Sequence, residues 1–546
     1  MTTSEHQEFA PENSAESSQS TPAAWLRWFP IALSVICLLI LLSPTPEGMT
    51  PEAHRLLAVT LLMAGLWMTQ ALPLAATSLI PLAAFPLLGI MPAKAVAKAF
   101  ANDSLFLYLG GMILALGIER WNLHRRIALN LVSVVGVSPR RLVGGFMITS
   151  AVLSMWISNT ACTMLMVPIA LAMLKTLDEG SESTQIGSTT ASKKPSETLA
   201  VPLLLSIAYS CSLGGMSTII GTPTNSVAVG ILQEQMPQVP RITVAVWILA
   251  AAPVSIVMLL ITWWTLTRRL GIKTNADARL RMELESRLRT LGPATRAEIR
   301  VFAVFALTAA AWVFQKPLRV NGVTVVPGIV DIWSWAVERA SNLVGNAPPQ
   351  LTGVSDTTIA IIAAIVLFII PAGVPKKEGA VVRLMDWPSA NRLPWEMILL
   401  FGGGFALAEG FTATELSAWL RDSLQGPLAG RPAWVVIAAL CFMLTFLTEF
   451  TSNVATVNTL LPTLIPLAEP LGIDVRLLFL PVTLSASCAF MMPIATPPNA
   501  IVFGSGRVSI RQMAMYGLLL NVIGVAVMTI GTFAFIEPIL RLIQTD

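Results

Sequence analysis

The sequence predicts an all-α, polytopic membrane protein built as an inverted repeat, each half carrying one re-entrant hairpin and one broken transmembrane helix. Three observations predict it. Of 546 residues, 54% are hydrophobic and only 12% charged, with a mean hydropathy of +0.71, against about 25% charged residues in a typical soluble domain. Uncharged runs long enough to enter a bilayer recur along the whole chain. Two of those runs are interrupted midway by Ser-Asn and two more by Thr-Pro-x-Asn, one of each in either half.

Taken in order, residues 1–23 are polar and rich in Ser and Glu, the composition of a disordered cytoplasmic tail. Their acidity argues against a cleaved signal peptide. Apolar spans are expected over 25–42, 56–70 and 75–91, the last two separated by Pro73, and over 105–118 with Gly110-Gly111 inside it. The run Glu119-Arg120-Trp121-Asn122-Leu123-His124-Arg125-Arg126 predicts a helix that leaves the membrane and then lies on its surface. Arg125, Arg126, Arg140 and Arg141 place that end in the cytoplasm by the positive-inside rule.

Residues 142–174 hold no charge, yet as one helix they would be about 50 Å long, too long for a single span. Ser158-Asn159-Thr160 interrupts them, so a re-entrant hairpin with that triplet at its tip is expected. The Ser/Thr-rich stretch 175–196 reads as a flexible loop. The next span, 199–232, is predicted to open at Gly214-Gly215 and again at Gly221-Thr222-Pro223-Thr224-Asn225. After a clean span over 244–266, the arginine-rich stretch 268–300 marks a second cytoplasmic surface segment, and its interspersed Glu283 and Glu285 favour a solvated interfacial face over nucleic-acid binding.

The second half repeats this plan. Spans over 301–314 and 357–370 flank a mixed excursion, 316–356, that reads as extramembrane or interfacial. Gly402-Gly403-Gly404 then answers to Gly110-Gly111, and Gly404 precedes Ser452 by nearly the same interval as Gly111 precedes Ser158. Ser452-Asn453 interrupts 434–467, a second hairpin, and Pro493 through Pro497-Pro498-Asn499 interrupts 477–503, a second broken helix opening between Pro493 and Asn499. Residues 24–300 are thus one repeat and 301–546 the other. The longer separation of Ser158 from Thr222 than of Ser452 from Thr496 matches the polar insert of the first half. Duplicated breaks of this kind form the binding sites of inverted-repeat transporters.

Opened backbone at membrane depth is tolerated only where protein covers it or it lines a wet cavity. Hydroxyls, amides and freed carbonyls at the tips and breaks suit a small cation, while half-helix N-termini favour an anion. For any one Ser or Thr, a bond back to the preceding helical turn is the commoner role; the paired recurrence in both halves favours ligand roles at these positions. Neither hairpin nor either broken helix holds Lys or Arg in its interior, so an anion there must be met by helix ends, neutral donors and co-bound cations. Glu449, three residues before Ser452, is either a membrane-embedded functional acid or an acceptor of backbone hydrogen bonds that orients the hairpin tip. The five cysteines fall in apolar segments as small buried thiols, the three histidines are scattered, and neither a Walker A nor a His-Glu-x-x-His sequence is present. An enzyme would need a nucleophile with its base or a metal cluster; Cys211 and Cys488 lie near the breaks without an accompanying histidine.

The stretch from Ser487 and Phe490 through Pro493 to Asn499, Ile501 and Val502, together with Ser158-Asn159-Thr160, the Gly-Gly segments and Trp121-Asn122-Leu123-His124, resembles the divalent anion:sodium symporter family, the sodium-coupled dicarboxylate, citrate and sulfate transporters. The resemblance covers nearly the whole chain. It implies a homodimer in the plasma membrane (the inner membrane of a bacterium), with each protomer divided into scaffold and transport parts that move by an elevator mechanism. It implies Na⁺ as coupling ion, held in one site by Ser154, Ser158, Asn159 and Gly221 and in a second by Thr448, Thr451, Asn453 and Ala495. A small dianionic substrate would meet Ser158, Asn159, Thr160, Thr222, Ser452, Asn453, Thr496 and Pro497.

Two positions depart from the family pattern. The second tip reads Ser452-Asn453-Val454, so a hydroxyl is lost where valine keeps only the shape, and the first break reads Thr222-Pro223-Thr224 rather than a double proline. The expected function is sodium-coupled uptake of C4-dicarboxylates such as succinate, malate and fumarate. The alternatives are sodium-coupled transport of sulfate or another small dianion, dicarboxylate exchange, and a sensor that binds a carboxylate without moving it.

Overall fold

Helix follows apolar content along most of the chain. The computed structural model describes residues 24–136, 138–182, 195–270, 277–315, 318–320, 323–326, 328, 339, 354–374, 381–428 and 430–544. The expected tail and the centre of the Ser/Thr-rich loop lie outside them. The first half comprises α1 (Ala24–Leu42), α2 (Pro51–Thr69), α3 (Leu74–Ser78), α4 (Ile80–Leu87), α5 (Ala93–Phe100), α6 (Asp103–Arg120), α7 (Leu123–Val135), α8 (Pro139–Ser154), α9 (Asn159–Glu182), α10 (Pro195–Gly215), α11 (Pro223–Gln235), α12 (Val244–Thr267) and α13 (Asp277–Thr290). Then follow α14 (Arg296–Val313), strands β1 (Leu318–Val320) and β2 (Val323–Val326), α15 (Asp356–Ile369), α16 (Trp387–Ala390), α17 (Trp395–Ala413), α18 (Leu416–Leu428), α19 (Ala433–Leu447), α20 (Asn453–Leu464), α21 (Val475–Ser485), α22 (Pro497–Gly504), α23 (Ile510–Gly531) and α24 (Glu537–Gln544).

Local chemistry fixes many of the helix starts. Thr50 caps α2 by accepting from Ala53 N, with Pro51 at the first helical position, where its missing N–H costs nothing. Asn102 caps α6, and Thr295 with Glu298 forms a reciprocal capping box on α14. Among the described residues, six helical stretches are long and apolar enough to cross a membrane: Ala93–Arg120, Asn159–Leu177, Glu197–Gly215, Val244–Thr267, Trp395–Ala413 and Ile510–Leu542. A polytopic helical protein is what the composition predicts.

Four details differ from expectation. The all-α class gains a small antiparallel pair, β1 with β2, inside the excursion that follows α14. Arg296 and Arg300, read as part of a surface segment, belong to the start of α14. The first broken span opens once and not twice: α10 runs through Gly214 and Gly215, and the backbone opens only between Gly215 and Pro223. In the second broken span Pro497, Pro498 and Asn499 form the first turn of α22, and the opening lies upstream, between Ser485 and Pro497. Proline is tolerated where a helix begins, so the double proline restarts the helix instead of breaking it.

The two halves cross over in their packing. Helix α9, of the first Ser-Asn interruption, packs against α22 of the second break, and α20, of the second Ser-Asn interruption, packs against α11 of the first break. Helix α11 also lies on α6 and α17, while α10 packs on α8, α9 and α22. On the arginine-rich side, Arg126 of α7 pairs with Glu298 and donates to the carbonyls of Leu291, Gly292 and Pro293, tying the surface helices α7 and α13 to the start of α14.

Candidate functional site

Four helix starts meet at one place because the sequence puts a turn or break before each. Helix α8 ends at Ser154 and α9 begins at Asn159, with Ala161 N donating to Ser158 Oγ over 3.2 Å. Helix α19 ends at Leu447 and α20 begins at Asn453, with Ser452 as its cap residue. Thr222 and Thr496 occupy the cap positions of α11 and α22 in closely matching extended conformations, φ −138°, ψ 140° and φ −142°, ψ 148°. Ser158, Asn159, Thr160, Gly221, Thr222, Ser452, Asn453, Val454, Ala495, Thr496 and Pro497 all line a single cavity of about 690 Å³. Unpaired N–H groups at helix starts carry a partial positive charge. Four such ends around one cavity make a setting for an anion that needs no lysine or arginine.

Side chains from several elements satisfy backbone groups that the breaks set free. At the first break the Asn225 amide donates to the carbonyls of Gly215, Met216 and Thr218, Trp247 Nε1 donates to Met216 O, and the Ser226 hydroxyl donates to Ile219 O. At the second, Asn499 Nδ2 donates to the carbonyls of Ala489 and Met492, and the Tyr209 hydroxyl donates to Phe490 O. Glu449 accepts from the backbone N–H groups of Met491 and Met492 at 2.9 Å each and from Asn521 Nδ2 at 2.6 Å. Of the two readings of Glu449, backbone acceptance is the observed one, but the groups it holds belong to the second break and not to its own tip. The first half makes a related tie at matching positions, where Thr218 Oγ1 donates to Met155 O over 2.6 Å.

Oxygen atoms gather where a cation would be expected. A methyl group placed on Gly221 would stand 2.5 Å from Gly215 O, 2.9 Å from Ser154 O and 2.9 Å from Thr218 Oγ1, and one on Gly215 would run into Asn159 Oδ1. Ser154 is fully buried and its hydroxyl donates to Asn159 Oδ1. In the second half the buried Asn453 Oδ1 has no hydrogen-bond partner among the described residues. Thr448 donates to Leu444 O and Thr445 O, while Thr451 donates to Leu447 O and shares a second hydrogen bond with the Thr456 hydroxyl at 2.6 Å; with two lone pairs per hydroxyl oxygen, each keeps one to face a cation. Ser154, Thr448 and Thr451 are not among the cavity's lining residues. An all-oxygen donor set of hydroxyls, amides and carbonyls fits Na⁺.

A family model described as the sodium:sulfate symporter transmembrane region matches residues 24–542. The chain belongs to that family. The chain is 34% identical over 514 residues to a Staphylococcus saprophyticus protein named sodium-dependent dicarboxylate transporter SdcS, covering 94% of this chain and 92% of that one. It is 36% identical over 510 residues to the protein of the same name from Staphylococcus aureus strain MRSA252, covering 92% and 90%. Its fold is shared with the crystal structure of the Alcanivorax borkumensis YdaH transporter, with a TM-score of 0.51 over 86% of this chain and 97% of that one; at 15% identity the likeness concerns fold alone. As a member of a transporter family with these apolar helices, the chain is a multi-pass protein of the plasma membrane and not an enzyme.

Several residues that hold the two breaks beside the cavity have roles beyond those expected from the sequence. Asn225 and Asn499 staple the two breaks, Asn521 fixes Glu449, and Tyr209 reaches from α10 to the second break. The signal for the first two was present, since each is the last residue of a Thr-Pro-x-Asn motif. Nothing local marks Asn521 or Tyr209, whose partners are far away in sequence.

Proposed function

We propose that this protein takes up C4-dicarboxylates such as succinate, malate and fumarate, coupled to the Na⁺ gradient. The observation that carries the proposal is the convergence of both Ser-Asn tips and both Thr-Pro breaks on the uncharged, donor-rich inner part of one pocket, in a chain whose relatives are named sodium-dependent dicarboxylate transporters. The substrate dianion is met by Ser158, Asn159, Thr160, Thr222, Ser452, Asn453, Thr496 and Pro497. One Na⁺ is held by Ser154, Ser158, Asn159 and Gly221, and another by Thr448, Thr451, Asn453 and Ala495. Bound cations offset the charge of the dianion, so loading of one favours loading of the other.

The rest of the proposal concerns motion. Residues 24–300 and 301–546 act as inverted repeats, and the hairpins 142–174 and 434–467 enter and leave the membrane on one side each. With the broken helices 199–232 and 477–503 they form a transport part that slides as an elevator against a scaffold part, in a homodimer. The cross-packing of α9 on α22 and of α20 on α11 supports this, because it binds the tips and breaks into one body. The test is uptake of labelled succinate into proteoliposomes with and without an inward Na⁺ gradient. Uptake that ignores Na⁺ would leave exchange or proton coupling.

Val454 on the cavity wall favours a second reading, in which sulfate or another small dianion is the substrate. Competition separates the two: excess sulfate abolishes succinate uptake only if it fits the same site.

A further inference from the structure

The inner part of the cavity is uncharged, but its lining also includes Arg392 and Glu119, which among the described lining residues are the one cation and the one anion. Glu119 sits half-buried in the last turn of α6, just before Arg120, Arg125 and Arg126, which mark the cytoplasmic side. Arg392 lies between α16 and α17, exposed, while the Ser-Asn tips are half-buried. It therefore stands toward the mouth of the cavity on the cytoplasmic side. The two charges are near enough to act on each other.

What distinguishes Arg392 is that its guanidinium is uncommitted. Among the described residues no hydrogen bond or ion pair engages it. Its neighbours at this end are occupied: Arg120 pairs with Asp386, Arg126 with Glu298, Arg383 donates to the carbonyls of Phe368 and Ile369, and Arg300 donates to Pro371 O. An exposed arginine with no structural partner, on the wall of a cavity whose inner end suits an anion, is free to act on whatever passes it.

We propose that Arg392 is a specificity-determining residue that draws dianions into the cavity from the cytoplasmic side, with Glu119 opposing it. This rests on the dianion reading above. A charge in a cleft with low-dielectric walls focuses its field along the cleft, raising the local concentration of counter-charged solute and the rate of its entry. The effect grows with solute charge, so Arg392 favours dianions over monoanions. It acts only on the face where it stands.

The test uses the full-length protein in inside-out membrane vesicles and in intact cells, with labelled succinate in the presence of Na⁺ as the probe. Arg392→Gln is expected to raise the half-saturating succinate concentration at the cytoplasmic face by about three- to tenfold, leaving the external value unchanged. Arg392→Lys, which keeps the charge, is expected to stay within about twofold of wild type. Raising ionic strength is expected to weaken cytoplasmic-side binding in the wild type and not in Arg392→Gln, and Glu119→Gln is expected to lower the same constant. Equal shifts at both faces, no shift at either, or Gln and Lys variants that behave alike would overturn the inference alone. Wild-type protein with no Na⁺-dependent succinate flux would overturn the proposed function and this inference with it.

Discussion

At the scale of single residues, the polar groups at the tips divide into those that hold ligand and those that hold the tips in place. The proposed function puts Asn159 and Asn453 in the first kind: Asn159 Oδ1 lies against Gly215, and Asn453 Oδ1 is buried without a partner among the described residues. Asn159→Ala and Asn453→Ala are each expected to raise the Na⁺ concentration for half-maximal transport; wild-type Na⁺ dependence in both would place the cations elsewhere. Val454 is 6% exposed and faces the same cavity. Val454→Thr adds a donor, and since a neutral hydrogen bond is worth about 0.5–1.5 kcal/mol, succinate affinity is expected to rise about two- to tenfold with little change for sulfate. A clear loss of succinate binding at normal expression would favour the smaller anion. Glu449 is of the second kind. Glu449→Ala strips the acceptor from two backbone N–H groups and the Asn521 amide, and hydrogen bonds to a charged group are worth about 1.5–3 kcal/mol each. The melting temperature in detergent is expected to fall by several degrees, with Glu449→Gln in between, whereas a purely ligand-binding role would leave the melting temperature alone.

At the scale of elements, proline and glycine did most to make the site legible, and also misled. Thr222-Pro223 and Thr496-Pro497 announced interrupted helices, and the interruptions are there. Their positions were harder to read, because a proline that breaks a helix and a proline that opens one look the same in sequence; only the N-terminal placement of Pro497 in α22 separates them. Gly214-Gly215 was read as an opening because glycine is a poor helix former. Both residues are helical, and their small size serves close approach: a methyl group on Gly214 would collide with the backbone of Ala151 in α8. Gly214→Ala is therefore expected to push α10 from α8 and to cost stability and transport together, by about 1–3 kcal/mol as overpacking does. A variant that expresses, melts and transports like wild type would show that α8 yields freely. The small strand pair β1–β2 was invisible for another reason, since strands of three and four residues are too short to show a period.

At the scale of the whole molecule, the class was legible because hydropathy is a long-range average that survives local misreadings. The packing of α9 on α22 and of α20 on α11 was not legible, since no residue type records which distant helix will be its neighbour. The same crossing explains why positions as far apart as Ser158 and Pro497 share one cavity. Glu449, by contrast, stays within its own half, where it ties the second Ser-Asn interruption to the backbone of the second break.

The four helix starts around the cavity have one more consequence, which concerns acidity. Peptide N–H groups, hydroxyls and amides neither take up nor release protons near neutrality, so the groups lining the inner end of the cavity keep the same charge at pH 5.5 as at pH 8. Proton dependence of succinate uptake should then originate in the solute, through the fraction carrying two negative charges. Expressed against total succinate, the half-saturating concentration is expected to climb as the medium is acidified; expressed against the doubly ionised form alone, it is expected to stay level. A curve that remained sloped after that correction would point to a titrating group of the protein in the binding step.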